Sequence, residues 1–324
     1  MDTKVVLVTG VSDSFATLVA RSLADDPAVG KVVGVDTVLP SGDLTGVKFV
    51  RADIRTPVIG KVIAVEDVDT VVHLDLSPQM RGRGGGKELN VIGSMQLLAA
   101  CQRSSTVSKF VLGSSTAVYG ASPRDPALFR ESTSARGGTK SGFPKDISEV
   151  ETYTRGFARR RPDVLITTLR AASLLDARHF SPMAQYLRSA VLPAALGYDP
   201  RLQFVHVQDL LEIIVESVRH DRPGTFNVAG DGVMMLSQVA RRLGRPIVPL
   251  PALGFAGAAR RVLRAVGSDI SPDLHRLLMY GRVVDTTALR EIFGFEMTYT
   301  TEQIVDQFRS AIRPGVLSVV GGRT

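Results

Sequence analysis

The chain has 324 residues, of which 44% are hydrophobic and 22% are charged, a balance that is ordinary for a globular protein. This composition excludes a disordered or fibrous chain, and the length favours a large domain that carries a smaller one. A single cysteine, Cys101, excludes an internal disulfide and predicts a reducing, cytoplasmic location. The sequence shows neither a run of about 18 apolar residues nor a signal-peptide pattern, so we expect no membrane association.

The net charge of +7 would suit an anionic partner, but composition does not identify one. Short arginine clusters such as Arg159–Arg161 lack the interleaved aromatic residues of a single-strand binding surface. The five histidines have no partners at metal-ligand spacing. We therefore expect a small-molecule partner, and neither a nucleic acid nor a metal.

The first half of the chain alternates short valine-rich runs with helical patterns, as in a parallel sheet covered on both faces. The predicted strands are Lys4–Thr9, Lys31–Asp36, Val47–Val50, Thr70–Leu74, Lys109–Leu112 and Val164–Leu169. The predicted helices include Phe15–Leu23, Asn90–Arg103 and Asp146–Arg161. The predicted fold class is α/β: a doubly wound parallel sheet of Rossmann type with a smaller, mostly helical C-terminal substrate domain.

The domain boundaries follow from where this alternation loosens. Residues 1–170 are predicted to form an NAD(P)-binding Rossmann domain, to which segments near 203–230 return. After Arg170, the regular alternation of strands and helices gives way to short elements separated by prolines. Residues 171–312 are therefore predicted to form mainly the substrate-binding domain. The glycine-rich residues 313–324 are predicted to be a flexible tail.

The first strand leads into a turn and a helix over Val6–Ala16, the arrangement of a dinucleotide-binding turn. Such a turn ordinarily has three glycines, but in this chain only Gly10 is present, with Asp13 and Ala16 at the other two positions. Asp13 either places a carboxylate where the phosphates should lie or caps the helix and points outward, and both interpretations stay open. The other predicted cofactor contacts in the turn are Ser12, Ser14 and Phe15.

Asp36 ends the second predicted strand. An acidic side chain at this position accepts hydrogen bonds from the adenosine ribose and repels a 2′-phosphate, so NAD is favoured over NADP. The alternative is a surface aspartate at a strand end.

Further motifs follow in order along most of the chain. They are Val8–Gly10, Asp36, Ala52–Ile54, Val71–Leu74, Asn90–Gly93, Ser114–Gly120, Phe204–Asp209 and Phe226–Gly230. This set resembles the extended short-chain dehydrogenase/reductase family, in its branch of NAD-dependent nucleotide-sugar epimerases and dehydratases. The whole sequence also resembles a group of actinobacterial proteins named as epimerases by similarity. The resemblance implies further cofactor contacts at Asp53, Ile54, Leu74, Asn90 and Ser114.

The resemblance also implies a catalytic serine, tyrosine and lysine, in which the tyrosine exchanges protons and the lysine lowers the pKa of its phenol. Ser115 matches the serine. The best registration puts Phe143 at the tyrosine position and Ile147 at the lysine position, so both proton-transfer groups are missing. Lys145 is two residues out of register and faces another side of the helix, which makes it a poor substitute.

We therefore favour a family-like protein with a degenerate active site, which binds NAD weakly or not at all. Its role would be regulatory, or a non-redox step on a small and possibly nucleotide-linked molecule. One alternative is a working NAD-dependent epimerase, dehydratase or reductase that uses Ser115 and a displaced base. Another is a binding or scaffold protein, so the sequence leaves open whether the protein is an enzyme. The resemblance also implies a homodimer, formed through the helices Asn90–Arg103 and Asp146–Arg161.

Overall fold

A computed structural model describes residues 3–76, 88–134, 142–179, 181–255, 257–259, 261 and 272–314. The chain divides into two compact units. The first comprises Met1–Val118, Thr139–Arg170 and Leu210–Phe226, and the second comprises Tyr119–Gly138, Ala171–Asp209 and Asn227–Thr324. Residues 315–324 of the predicted tail lie outside the described residues.

Strands and helices alternate along most of the first unit. In chain order, the strands are β1 Lys4–Thr9, β2 Val29–Asp36, β3 Val47–Arg51, β4 Thr70–His73, β5 Lys109–Ser115, β6 Leu165–Ala171, β7 Ser173–Leu174, β8 Leu192–Ala195, β9 Arg201–Leu202, β10 Phe204–Val205, β11 Gly224–Val228, β12 Met234–Met235 and β13 Ile247–Leu250. The helices are α1 Ser14–Ala24, α2 Val58–Val65, α3 Ser94–Arg103, α4 Phe143–Arg160, α5 Pro182–Arg188, α6 Val207–Arg219, α7 Leu236–Arg242, α8 Pro272–Tyr280 and α9 Thr301–Ala311. Among the described helices, none is long and apolar enough to cross a bilayer.

The large sheet has seven strands in the order β3-β2-β1-β4-β5-β6-β11. Its pairs β1–β2, β1–β4, β2–β3 and β4–β5 are parallel. This is the strand order of a Rossmann fold, extended by one strand at the β6 edge. Val6, Leu7 and Val8 are completely buried, as expected for a strand covered on both faces. The predicted α/β, doubly wound fold class is confirmed.

The predicted helix Asn90–Arg103 begins differently in the structure. A π-helical turn over Glu88–Gly93 precedes α3. This turn approaches the segment after β3 closely, because a Cβ atom on Gly93 would lie 2.8 Å from Cδ1 of Ile54. Glycine at this position therefore lets the start of the helix pack against Ile54.

A buried chain of polar groups joins β1, β4 and the start of α3. Nδ1 of His73 lies 2.7 Å from the Thr9 hydroxyl, and Nε2 lies 2.8 Å from the Ser94 hydroxyl. Because Ser94 donates its proton to the Asn90 carbonyl, His73 must donate from Nε2 and accept at Nδ1. Burial lowers the pKa of His73 to about 3, so the ring is neutral at physiological pH. This histidine has a structural role.

In the second unit, helices surround short two-stranded ladders, in which β10 pairs with β7, β12 with β9 and β13 with β8. Phe204 is completely buried in the apolar core of this unit. The sequence predicts that the segments around Phe204 and Thr225 return to the first part of the chain. The segment around Thr225 forms β11 of the large sheet, whereas Phe204 lies in the second unit because its ring fills that core.

Candidate active site

The turn between β1 and α1 lies where a doubly wound sheet places its ligand. Gly10 has a φ of +78°, and a Cβ atom there would lie 2.9 Å from the backbone of Asp75, which follows β4. Only glycine fits both the backbone conformation and this close approach. Strand order reverses beside β1, between β2 and β4, and such sheets bind ligands at the carboxyl ends of these strands.

Asp13 caps α1 with its side chain. Its Oδ1 accepts hydrogen bonds from the backbone N–H groups of Phe15, at 2.9 Å, and Ala16, at 3.4 Å. These N–H groups belong to the helix N-terminus, which in a dinucleotide site faces the phosphates. The two interpretations of Asp13 are therefore compatible, because the carboxylate caps the helix by occupying donors that an anionic ligand would use. Ser14 is the exposed first residue of the helix.

Asp36 is buried at the end of β2. One carboxylate oxygen accepts a 2.9 Å hydrogen bond from the Ser12 N–H, and the other accepts from the N–H groups of Thr37 and Val38. These charge-assisted hydrogen bonds fix the carboxylate beside the β1–α1 turn. Asp36 is therefore a buried, oriented acceptor and not a loose surface aspartate.

Asp53 already has a cationic partner. The guanidinium of Arg55 donates to both of its carboxylate oxygens, at 2.9 and 2.7 Å. These hydrogen bonds hold the pKa of Asp53 below its usual value. A ligand that approaches Asp53 would therefore meet an ion pair. The neighbouring Ile54 is buried and packs at the end of the π-helical turn.

Asn90 connects the π-helical turn to the start of α4. Its side-chain Nδ2 donates to Oδ2 of Asp146 at 3.1 Å, and both residues are buried. Leu74, which follows β4, donates its N–H to the Thr9 hydroxyl at 3.2 Å. These contacts join the π-helical turn to the first turn of α4, and the end of β4 to β1.

The first turns of α4 carry the positions at which the resemblance predicts tyrosine and lysine. Phe143 is the first residue of the helix and is half-buried, and Ile147, one turn later, is completely buried. Neither side chain has a titratable proton. Lys145 lies 3.6 Å from Oε1 of Glu149 and keeps 42% of its side chain exposed. In the structure, Lys145 therefore forms an ion pair with Glu149, one turn later on the same helix.

The serines at the end of β5 make different contacts. The Ser115 hydroxyl accepts a 3.2 Å hydrogen bond from the Ala117 N–H, within the turn that follows the strand. The Ser114 hydroxyl donates to Oε1 of Glu151 at 2.7 Å, and Glu151 accepts two hydrogen bonds from Arg170, at 2.9 and 2.7 Å. Ser114, Glu151 and Arg170 are all buried. Ser114 is thus held within a polar cluster.

The sequence pattern alone does not predict this cluster of Ser114, Glu151 and Arg170. One signal is available, since Glu151 lies four residues after Ile147 and therefore on the same helix face. That face is buried, so a carboxylate on it requires a buried partner. The partner stands on β6, and only the fold identifies it.

The arrangement offers a dinucleotide an acceptor on its adenosine side and holds a carboxylate at the N-terminus of α1. Asp36 offers an oriented acceptor for ribose hydroxyls beside Gly10. Asp13 places a second carboxylate on the helix N–H groups that a pyrophosphate would need. Within the described ranges, no group of three or more His, Cys, Asp or Glu side chains is placed to hold a metal ion.

Comparison with known proteins identifies the family. The model of the NAD dependent epimerase/dehydratase family matches residues 6–229. The uncharacterized protein Rv0501 of Mycobacterium tuberculosis is 40% identical over 314 residues, which cover 94% of this chain and 83% of that protein.

Solved structures of similar fold include both enzyme types of this family. UDP-glucose 4-epimerase from Thermotoga maritima, solved with UDP-glucose, has a TM-score of 0.72 at 17% identity and covers 95% of this chain and 98% of its own. dTDP-glucose 4,6-dehydratase from Bacillus anthracis, solved with NAD, has a TM-score of 0.70 at 17% identity, over 95% and 96% of the two chains. The resemblance drawn from the motifs is confirmed: the chain belongs to the NAD dependent epimerase/dehydratase family, of the extended short-chain dehydrogenase/reductase type.

Proposed function

We propose that this protein keeps the framework of its family but does not carry out the family's proton-coupled hydride transfer. The observation that carries the proposal is the pair of hydrocarbon side chains, Phe143 and Ile147, where the resemblance calls for a phenol and an ammonium. A positioned acid/base group typically contributes about 10²–10⁴-fold to a rate, and two such groups are replaced. The role that fits is regulatory, or a non-redox step on a small molecule.

The proposal includes weak or absent binding of NAD. The Asp13 carboxylate supports weak binding, because it places negative charge on the N–H groups that would face the phosphates. The oriented carboxylate of Asp36 favours NAD over NADP, since it would repel a 2′-phosphate. The Bacillus anthracis dehydratase was solved with NAD, which supports this choice of cofactor.

The proposed ligand is a small, nucleotide-linked molecule, because the Thermotoga maritima epimerase was solved with UDP-glucose. We also propose a cytoplasmic homodimer formed through α3 and α4. Met95 on α3 and Tyr153 on α4 are 42% and 39% exposed, which supports an apolar contact there. Light scattering that gives the mass of a single chain would contradict the dimer.

Two measurements test the proposal. Purified protein with excess NAD is expected to convert UDP-glucose or dTDP-glucose no faster than a protein-free control. Conversion that Ser115→Ala abolishes would overturn the proposal and establish a working enzyme. Calorimetric titration with NAD, NADH and NADP is expected to give weak binding or none, with NADP the weakest. Tight binding of NAD would contradict the assigned effect of Asp13.

A further inference from the structure

The second unit contains a recess of about 230 Å³, and all of its lining residues belong to that unit. Its walls are the segment 122–129, the start of β9, and the end of α8 with the three residues that follow it. Two arginines, Arg201 and Arg282, line it together with Tyr280.

Backbone contacts bring the two arginines side by side. The N–H of Arg282 donates to the carbonyl of Arg201 at 3.1 Å. Gly281, with a φ of +70°, makes this approach possible, because a Cβ atom there would lie 2.5 Å from the same carbonyl oxygen. Across the recess, the N–H of Phe129 donates to the carbonyl of Val283 at 2.9 Å. The walls are therefore tied together by the main chain.

Neither guanidinium is neutralised within the part of the chain that the structure describes. Nε of Arg282 donates to the Gly120 carbonyl at 2.8 Å, and Nη2 of Arg201 donates to the Ala127 carbonyl at 2.8 Å. Neither arginine forms an ion pair with a carboxylate of the described residues. Each guanidinium has five N–H donors, so these carbonyls orient the groups and leave further donors for a ligand.

Asp125, the acidic residue among the lining residues, is turned toward its own loop. Its carboxylate accepts hydrogen bonds from the N–H and the hydroxyl of Ser122, at 2.6 and 2.8 Å. Burial lowers the pKa of Arg282 to about 10, although Asp273 and Asp125 act in the opposite direction. The guanidinium therefore stays charged at neutral pH, and the recess has an excess of positive charge.

We propose that this recess binds the phosphate group of a small phosphorylated molecule, held by Arg282 and Arg201. Two guanidinium groups that line one small recess are better accommodated when a dianion lies between them, because it offsets their mutual repulsion. Their planar forks match phosphate oxygens in pairs. The ring of Tyr280, set edge-on to Tyr198 at 5.8 Å, offers a wall for the organic part of the ligand.

Calorimetric titration of the full chain at low salt tests this site, with inorganic phosphate, phenyl phosphate and acetate as probes. Both phosphates are expected to bind saturably, phenyl phosphate more tightly, and acetate more weakly than either. Arg282→Gln should weaken phosphate binding by about tenfold or more, and Arg282→Lys should weaken it less. Arg124→Gln removes the same charge from an exposed position on the 122–129 segment, outside the lining of the recess, and should leave binding unchanged.

Several outcomes would overturn the phosphate site. They are the lack of saturable binding, equal losses in Arg282→Gln and Arg124→Gln, and acetate binding as tight as that of phosphate. If Arg282→Gln fails to fold, Arg201→Gln at the exposed arginine carries the same test. The site is independent of the proposed function, so Asp25→Asn, at the C-terminal end of α1 in the first unit, should leave the phosphate titration unchanged. A changed titration in that variant would contradict a site confined to the second unit.

Discussion

The first unit contains two regions whose polar groups differ, namely a buried cluster in its interior and the ligand-binding edge of its sheet. The interior cluster of Ser114, Glu151 and Arg170 is complete, with every member hydrogen-bonded and buried. At the ligand-binding edge, the proposed function rests on the hydrocarbon side chains Phe143 and Ile147 at the start of α4 and on the Asp13 carboxylate at the N-terminus of α1. The comparison teaches that the interior of the fold and its ligand-binding edge are built from different residues, so the edge can change while the interior is kept.

The largest expected effect comes from breaking the interior cluster. Glu151→Ala leaves the buried Arg170 without its carboxylate, so the free energy of unfolding should fall by about 3–5 kcal/mol. Urea unfolding measures this change. Glu149→Ala is the matched control on the same helix, where loss of the half-exposed pair with Lys145 should cost less than about 0.5 kcal/mol. Equal, small losses in both variants would contradict a structural role for the cluster.

The next effect is the pH dependence of stability due to His73. Its pKa is about 3 in the folded chain and near 6.5 when unfolded, so below pH 6.5 the unfolded state binds a proton that the folded state does not. Stability from this group is fully present above pH 6.5 and falls by about 1.4 kcal/mol per pH unit as the pH drops toward 3.

Urea unfolding between pH 6.5 and 5 measures this slope. His73→Gln should flatten it by about that amount, and His220→Gln, at an exposed histidine, serves as the control. An unchanged slope in His73→Gln would show that the histidine is not held neutral.

A smaller effect is expected at the ligand-binding edge. Asp13→Asn keeps the helix cap and removes the charge, so calorimetry should find NAD binding about tenfold tighter, with stability changed by only a few tenths of a kcal/mol. Asp25→Asn at the other end of α1 removes an equal charge and should not change NAD binding. If the unaltered protein and Asp13→Asn bind NAD with equal affinity, the charge of Asp13 does not oppose binding of the pyrophosphate.

The smallest effect is expected for the displaced lysine. Lys145 is paired with Glu149 and exposed, so Lys145→Ala should change the free energy of unfolding by less than about 0.5 kcal/mol and leave ligand binding unaltered. Glu149→Gln is the matched control for the loss of the pair. A turnover that Lys145→Ala abolishes and Glu149→Gln preserves would make Lys145 the substitute base.

Much of the first unit can be predicted from the sequence, because its signals are local. Valine runs between turn residues predict β1 to β6, and a histidine inside such a run predicts the buried role of His73. The β1–α1 turn is likewise predicted from Gly10, which has a φ of +78° in the structure.

The rest depends on contacts that no local pattern encodes. The sequence leaves the role of Asp13 open because capping and phosphate repulsion require the same residue type, and only the structure shows which N–H groups its carboxylate occupies. Glu151 and Arg170 are 19 residues apart and meet only when α4 packs on the sheet. The approach of Arg282 to Arg201 likewise depends on a long-range backbone contact.

Single-turnover spectroscopy of the nicotinamide chromophore tests the central claim most directly. The protein, in excess over UDP-glucose and saturated with NAD as far as solubility allows, is expected to form no NADH. Its trace should match those of Ser115→Ala and of a protein-free mixture. A burst of NADH that the protein forms and Ser115→Ala does not would show that hydride transfer proceeds without the tyrosine and lysine, and would contradict the account.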